Sequence, residues 1–104
     1  MQKETAIKNA ILLALGDRED VLAWNAPVGT FRAFDDPSRV IRIGPVGRAD
    51  IIGVVGGRAL AIEVKTATGR LHADQQRWRE AFERVGGLWV LARSPEEALD
   101  GIRG

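Results

Sequence analysis

Three residues in this chain have types and spacing suited to chemistry: Asp50, Glu63 and Lys65. All belong to the stretch DIIGVVGGRALAIEVK, Asp50 to Lys65, in which two apolar runs flank Gly56-Gly57. A glycine pair between apolar runs is a strong hairpin signal. With the turn on those glycines, Val55 faces Arg58, Gly53 faces Leu60, Ile51 faces Ile62, and Asp50 faces Glu63. Directly opposed residues have Cβ atoms about 4.5–5.5 Å apart. Two carboxylates held that close repel and lose hydration, so a shared proton or a divalent cation must offset the cost. Glu63 and Lys65 are two apart on one strand and so share a face. Two acids and an ammonium at one sheet edge suit phosphodiester hydrolysis. The acids would hold a hard cation such as Mg²⁺, and the lysine would orient water or offset charge on the phosphate. A structural Asp–Lys or Glu–Lys ion pair is the alternative. The position at the end of an apolar strand, with an aspartate across from it, favours a site.

These residues need a scaffold, and the hydrophobic pattern supplies one. Ile7, Ala10, Ile11, Ala14 and Leu15 form one stripe of a helix over about Lys3 to Leu15, which Gly16 stops. Glu4 falls on that stripe at the helix start. Val21–Asn25 and Gly29–Phe34 read as short strands, Asp35-Asp36-Pro37-Ser38 as a turn, and Arg39–Ile43 as a strand that Gly44-Pro45 ends. The hairpin strands are apolar on both faces, which predicts a central place in the sheet. After a loop over Thr66–Arg70, a helix runs from about Ala73 to Val85 with Trp78, Phe82 and Val85 as its buried stripe. Gln75 lies on the same face as Trp78 and could hydrogen-bond a water or a ligand carboxylate. Gly86-Gly87 ends the helix, and Leu88–Ala92 is a buried strand. Ser94-Pro95-Glu96-Glu97 opens a last helix that ends near Gly101. The order helix, β region, hairpin, helix, strand, helix predicts a single α/β domain over residues 1–104: a mixed sheet with helices on both faces.

Composition excludes several classes. With 104 residues there is room for one domain. The chain has no cysteine, so disulfides, thiolate nucleophiles and sulfur-based zinc sites are out. The absence of cysteine is compatible with a reducing cytoplasm. No apolar run approaches the roughly 20 residues of a membrane span, and the N-terminus does not read as a secretory signal. A net charge of +1 does not announce a nucleic-acid partner. Nor does the chain carry a glycine-rich nucleotide loop.

Beyond these readings, the chain resembles a known family. Gly47-Arg48-Ala49-Asp50-Ile51-Ile52-Gly53, Ala61-Ile62-Glu63-Val64-Lys65, Gly69 and Gln75–Trp78 resemble the virus-type replication-repair nuclease (VRR-NUC) domains of the PD-(D/E)xK, restriction-endonuclease-like superfamily. Glu4, Asn25, Gly29 and Gly86-Gly87 extend the resemblance over nearly the whole chain. It implies an α/β/α sandwich and a Mg²⁺- or Mn²⁺-dependent endonuclease acting on DNA, branched or Holliday-junction-like DNA among its substrates. It implies Asp50 and Glu63 as metal ligands with the Val64 backbone carbonyl, Lys65 as the catalytic lysine, and Gln75 in support. Glu4 would approach from the first helix as a further ligand. It also implies a homodimer, a role in phage or prophage replication or repair alongside partner proteins of those processes, and a cytoplasmic setting in a bacterial or phage-infected cell. Two departures stand out: His72-Ala73 replaces the usual Ser-Pro before the long helix, which weakens its expected cap, and Ala49 replaces the superfamily's proline before Asp50.

The remaining candidates have two readings each. His72, the only histidine, is a general base or a helix start. Arg70 and His72, beside the site, contact phosphate or belong to a solvated loop. Arg48, cross-strand from Lys65, binds phosphate or pairs with an acid. Trp78 and Trp89 read as core, while Trp24 is open to stacking on an unpaired base. The competing function is a non-catalytic DNA-binding or interaction module that keeps the fold. A toxin or small-ligand enzyme using the same acids is a weaker third.

Overall fold

The computed structural model describes residues 3–27, 29–43 and 45–103. Helix α1 (Glu4–Leu15) buries Ile7, Ile11 and Leu15, spaced to form one stripe. Strand β1 (Val21–Asn25) follows. Strands β2 (Gly29–Arg32) and β3 (Val40–Ile43) pair only with each other in a separate two-stranded ribbon. Both are shorter than the sequence suggests, because the turn between them claims the flanking residues. Ser38 donates to Asp36 from its backbone N–H (3.1 Å) and its hydroxyl (2.6 Å), and Arg39 N–H donates to the Asp36 carbonyl at 2.9 Å.

The main sheet has the order β1-β4-β5-β6, with β4 (Ile51–Val55), β5 (Arg58–Val64) and β6 (Leu88–Ala92). The hairpin register is the one expected: Val55 opposite Arg58, Gly53 opposite Leu60, Ile51 opposite Ile62. Gly56 and Gly57 both have positive φ (53° and 82°), the conformation a tight hairpin turn requires. The apolar hairpin strands are central. Helix α2 (Ala73–Arg84) carries the chain from β5 to β6, which therefore run parallel and make the sheet mixed.

Alternation along the strands separates two packed layers. Ile51, Leu60, Ile62, Val64 and Val90 meet α1 and α3 (Pro95–Arg103) on one face. On the other, Ala61 and Trp89 meet Trp78 and Phe82 of α2. The Trp78 and Phe82 rings stack at 4.8 Å, and the Arg79 guanidinium lies 4.5 Å from the centre of the Trp89 ring. No helix among the described residues is long and apolar enough to cross a membrane.

Two expectations about helix ends fail. Val85 is not on the buried stripe. It is the C-cap of α2 and 82% exposed, because the chain leaves the helix there and reverses through Gly86 at φ 97°. Gly101 does not stop α3, which runs on to Arg103. Its role is a close approach: a Cβ there would lie 2.4 Å from Val90 Cγ1. Gly101→Ala should therefore destabilise the protein by about 1–3 kcal/mol through overpacking, outweighing the ~1 kcal/mol of helix propensity gained. A lower urea midpoint at unchanged slope is the expected readout.

Candidate active site

Asp50 immediately precedes β4, so it is not a rung of the ladder as the sequence register implies. Its carbonyl accepts from Ala26 N–H at 2.8 Å, and its side-chain Oδ2 accepts from Val64 N–H at 2.9 Å. The carboxylate thus replaces the missing strand at the end of β5. It still reaches Glu63, which lies on the α2 face and is 2% exposed. Both acids line a cleft of about 320 Å³ together with Gly47, Arg48, His72 and Gln75.

Glu63 is the most perturbed group of the site. Its Oε1 accepts from Gln75 Nε2, while Oε2 is buried without any hydrogen-bond partner. Burial pushes its pKa up to about 9. The nearness of the Asp50 carboxylate and repulsion from it act in the same sense, as does the charge of Glu4, while Lys65 opposes them. In the absence of a cation, the pair meets its electrostatic cost by keeping a proton.

Lys65 is 6% exposed, forms no salt bridge among the described residues, and is not among the residues that line the cleft, although its charge acts on Glu63. Gly69 walls its aliphatic stem: a Cβ on Gly69 would touch Lys65 Cδ at 3.3 Å. That loop is pinned by Arg93, whose Nη1 donates to the carbonyls of Thr66 and Gly69 (2.8 Å to the latter). Sequence reasoning missed Arg93. Only the parallel pairing of Val64 with Ala92 makes Lys65 and Arg93 level neighbours.

Gln75 joins the helix to the acids. Its Oε1 accepts from His72 N–H at 2.9 Å while its Nε2 holds Glu63. The start of α2 is therefore capped by Gln75 despite the His-Ala sequence, which corrects the expected weakness. His72 is exposed and lines the cleft, and Arg70 is exposed on the loop.

Arg48 has no cross-strand position opposite Lys65, since β4 starts at Ile51. Instead, its Nη2 donates to the carbonyls of Ala26 (3.0 Å) and Pro27 (2.6 Å), and its Nε is buried without a partner. Arg48 ties the segment after β1 to the approach to Asp50. Glu4 is exposed at the start of α1 and does not line the cleft, although its charge is felt at Glu63. Trp89 is core, Trp78 half-buried, and Trp24 48% exposed.

Gly47 fits against the first turn of α2. It has φ +84°, and a Cβ would lie 2.2 Å from the Asp74 carbonyl oxygen. Gly47→Ala should cost about 2–4 kcal/mol, combining left-handed strain and overpacking. Thermal unfolding would show it as a markedly lower midpoint.

Among the described residues, no three His, Cys, Asp or Glu side chains gather as a ready metal cluster. A cation would be held by Asp50, Glu63 and the backbone. In a strand a residue's N–H and C=O point to the same side. The Val64 carbonyl therefore points toward Asp50, as its N–H does. Two carboxylates and a carbonyl are hard oxygen donors suited to Mg²⁺, which keeps several waters. The orphaned Glu63 Oε2 fits such a cation.

No protein-family model matches the chain, and no curated protein matches it either.

Proposed function

We propose that this chain is a divalent-metal-dependent DNA endonuclease with a restriction-endonuclease-like fold of the VRR-NUC type. The observation that carries the reading is a buried, partnerless Glu63 oxygen beside Asp50, with a buried lysine two residues along that pairs with neither acid. A Mg²⁺ or Mn²⁺ held by Asp50, Glu63 and the Val64 carbonyl would polarise the scissile phosphate and acidify the attacking water.

The protein's own groups do the rest. Asp50 is held by Val64 N–H, and Glu63 is aimed by Gln75, so both acids are positioned before substrate arrives. Glu63 must give up its proton for both carboxylates to act as anionic ligands. The Lys65 ammonium, shielded from water, offsets the charge that builds on the phosphate oxygens as the new P–O bond forms. The open cleft admits a phosphodiester, with His72 in its lining.

A net charge of +1 gives one subunit a weak grip on DNA, since phosphate contacts supply most affinity. A homodimer would double the contact surface and pair two cuts on a two-fold substrate such as a branched junction. This would suit a replication or repair nuclease of a phage or prophage, working in the cytoplasm.

Supercoiled plasmid incubated with Mg²⁺ or Mn²⁺ is expected to be nicked, and EDTA to stop it. Plasmid left intact under both metals while the chain still retards DNA in a gel would leave a binding module in place of an enzyme.

A further inference from the structure

The sheet face that carries the acid pair is covered by α2 only over part of its width. Trp78 and Phe82 pack on Ala61 and Trp89, the β5–β6 side. On the β1–β4 side, three large apolar residues stand open: Leu22 at 70%, Trp24 at 48% and Val54 at 40% exposure. The register makes them one patch, with Leu22 opposite Val54 and Trp24 opposite Ile52. Alternation places the patch on the face of the site. Val21, Ala23 and Val55 point into the α1–α3 core, while Ile52 packs on the α2 side.

The patch is continuous with the acids. Ala26 N–H bonds the Asp50 carbonyl, extending the β1–β4 pairing by one step. Trp24 is therefore the diagonal neighbour of Asp50, roughly 7–8 Å away across the strands. A half-exposed indole beside a cleft lined by two acids is a flat apolar surface next to a candidate phosphodiester site.

We propose that Trp24 is a stacking platform for an unpaired DNA base, seating a single strand along Leu22 and Val54 so that its backbone enters the Asp50–Glu63 cleft. The identity of the ligand rests on the nuclease reading. The selectivity rests on the surface itself. Every base offers a π-face, but in a duplex both faces are occupied by neighbouring bases. An indole on an open strand face can therefore take only bases already out of the stack, as in a flap, a fork or the crossing of a junction. The substrate class that follows is DNA with unpaired bases next to the cut. A second copy of the chain could bury the same patch through the open edge of β1, and the test separates the two.

The intact chain in EDTA, where nothing is cut, is titrated with a short oligothymidine while tryptophan emission is followed. Trp89 is buried and Trp78 half-buried, and the emission of Trp24→Leu supplies the background of both. Quenching is expected in the wild type and should vanish in Trp24→Leu, with affinity falling roughly ten-fold. Trp24→Phe should keep most of the affinity. The same strand annealed to its complement should bind wild type and Trp24→Leu alike. Equal oligothymidine affinity in wild type and Trp24→Leu would overturn the proposal. So would a Trp24→Leu variant that turns a self-associated form into monomers in sedimentation velocity, which would assign the patch to a second copy. Because the readout is binding, it stands apart from activity. Quenching through Trp24 without metal-dependent nicking sinks the nuclease reading alone, and nicking without Trp24-dependent binding sinks this inference alone.

Discussion

Glu63→Gln and Lys65→Ala are each expected to lower metal-dependent DNA cleavage on the order of 10²–10³-fold, the usual loss when one preorganised charge is removed from a reacting centre. The two substitutions should be separable by what else they change. Glu63→Gln keeps the shape of the side chain and its neighbour Gln75 but removes an anionic ligand, so Mn²⁺ uptake measured by calorimetry should fall with activity. Lys65→Ala leaves both carboxylates in place and removes the cation that opposes them. Mn²⁺ should then bind at least as tightly while cleavage is lost. Lys65→Arg should not restore the rate, since the planar guanidinium is larger than the slot walled by Gly69. Full cleavage by Lys65→Ala would remove the lysine from the mechanism.

The second large effect is on stability. Glu63 titrates at about 9 in the folded protein, against 4.5 for its ordinary value. Between those pH values the folded chain holds a proton that the unfolded chain has released. The stabilisation is complete below pH 4.5 and is lost as pH rises to about 9. The slope for one proton reaches at most about 1.4 kcal/mol per pH unit. Urea unfolding in EDTA should thus show stability declining from pH 5 to pH 9. Mn²⁺ competes with the proton, so saturating metal should flatten the profile, and metal affinity should strengthen with pH. Glu63→Gln carries no titrating proton and should flatten it without metal, while remaining inactive. A metal-free profile equally flat in wild type and Glu63→Gln would mean that the acids are not the buried, coupled pair described above.

Much of this arrangement is visible in the residues alone because it depends on short-range rules. A glycine pair between apolar runs sets one hairpin register, and that register puts Asp50 and Glu63 on the same face. The order of helices and strands, with the parallel return through α2, follows from the same kind of pattern. Two helix ends were legible from the glycine that follows the last apolar turn: Gly16 caps α1 in an ordinary right-handed conformation. Gly86, at positive φ, marks the end of α2. Gly101 looks the same in sequence, yet it serves a contact with Val90 and lies within α3. The roles of Arg48 and Arg93 were hidden for a similar reason. Each donates to carbonyls more than 20 residues away, and such carbonyls have no side-chain signature.

The amino-acid order by itself determined which strands are central, which turn joins them, and which acids and lysine share an edge, because periodicity and turn chemistry act over a few neighbouring residues. Tertiary structure alone decided that Asp50 leaves the ladder to bond Val64, that Gln75 bridges α2 to Glu63, and that Glu63 keeps an unpartnered oxygen. It also decided that Trp24 stays open beside them. Burial and long-range hydrogen bonding depend on what the rest of the chain brings to a point in space, and that becomes definite only once the layers have packed.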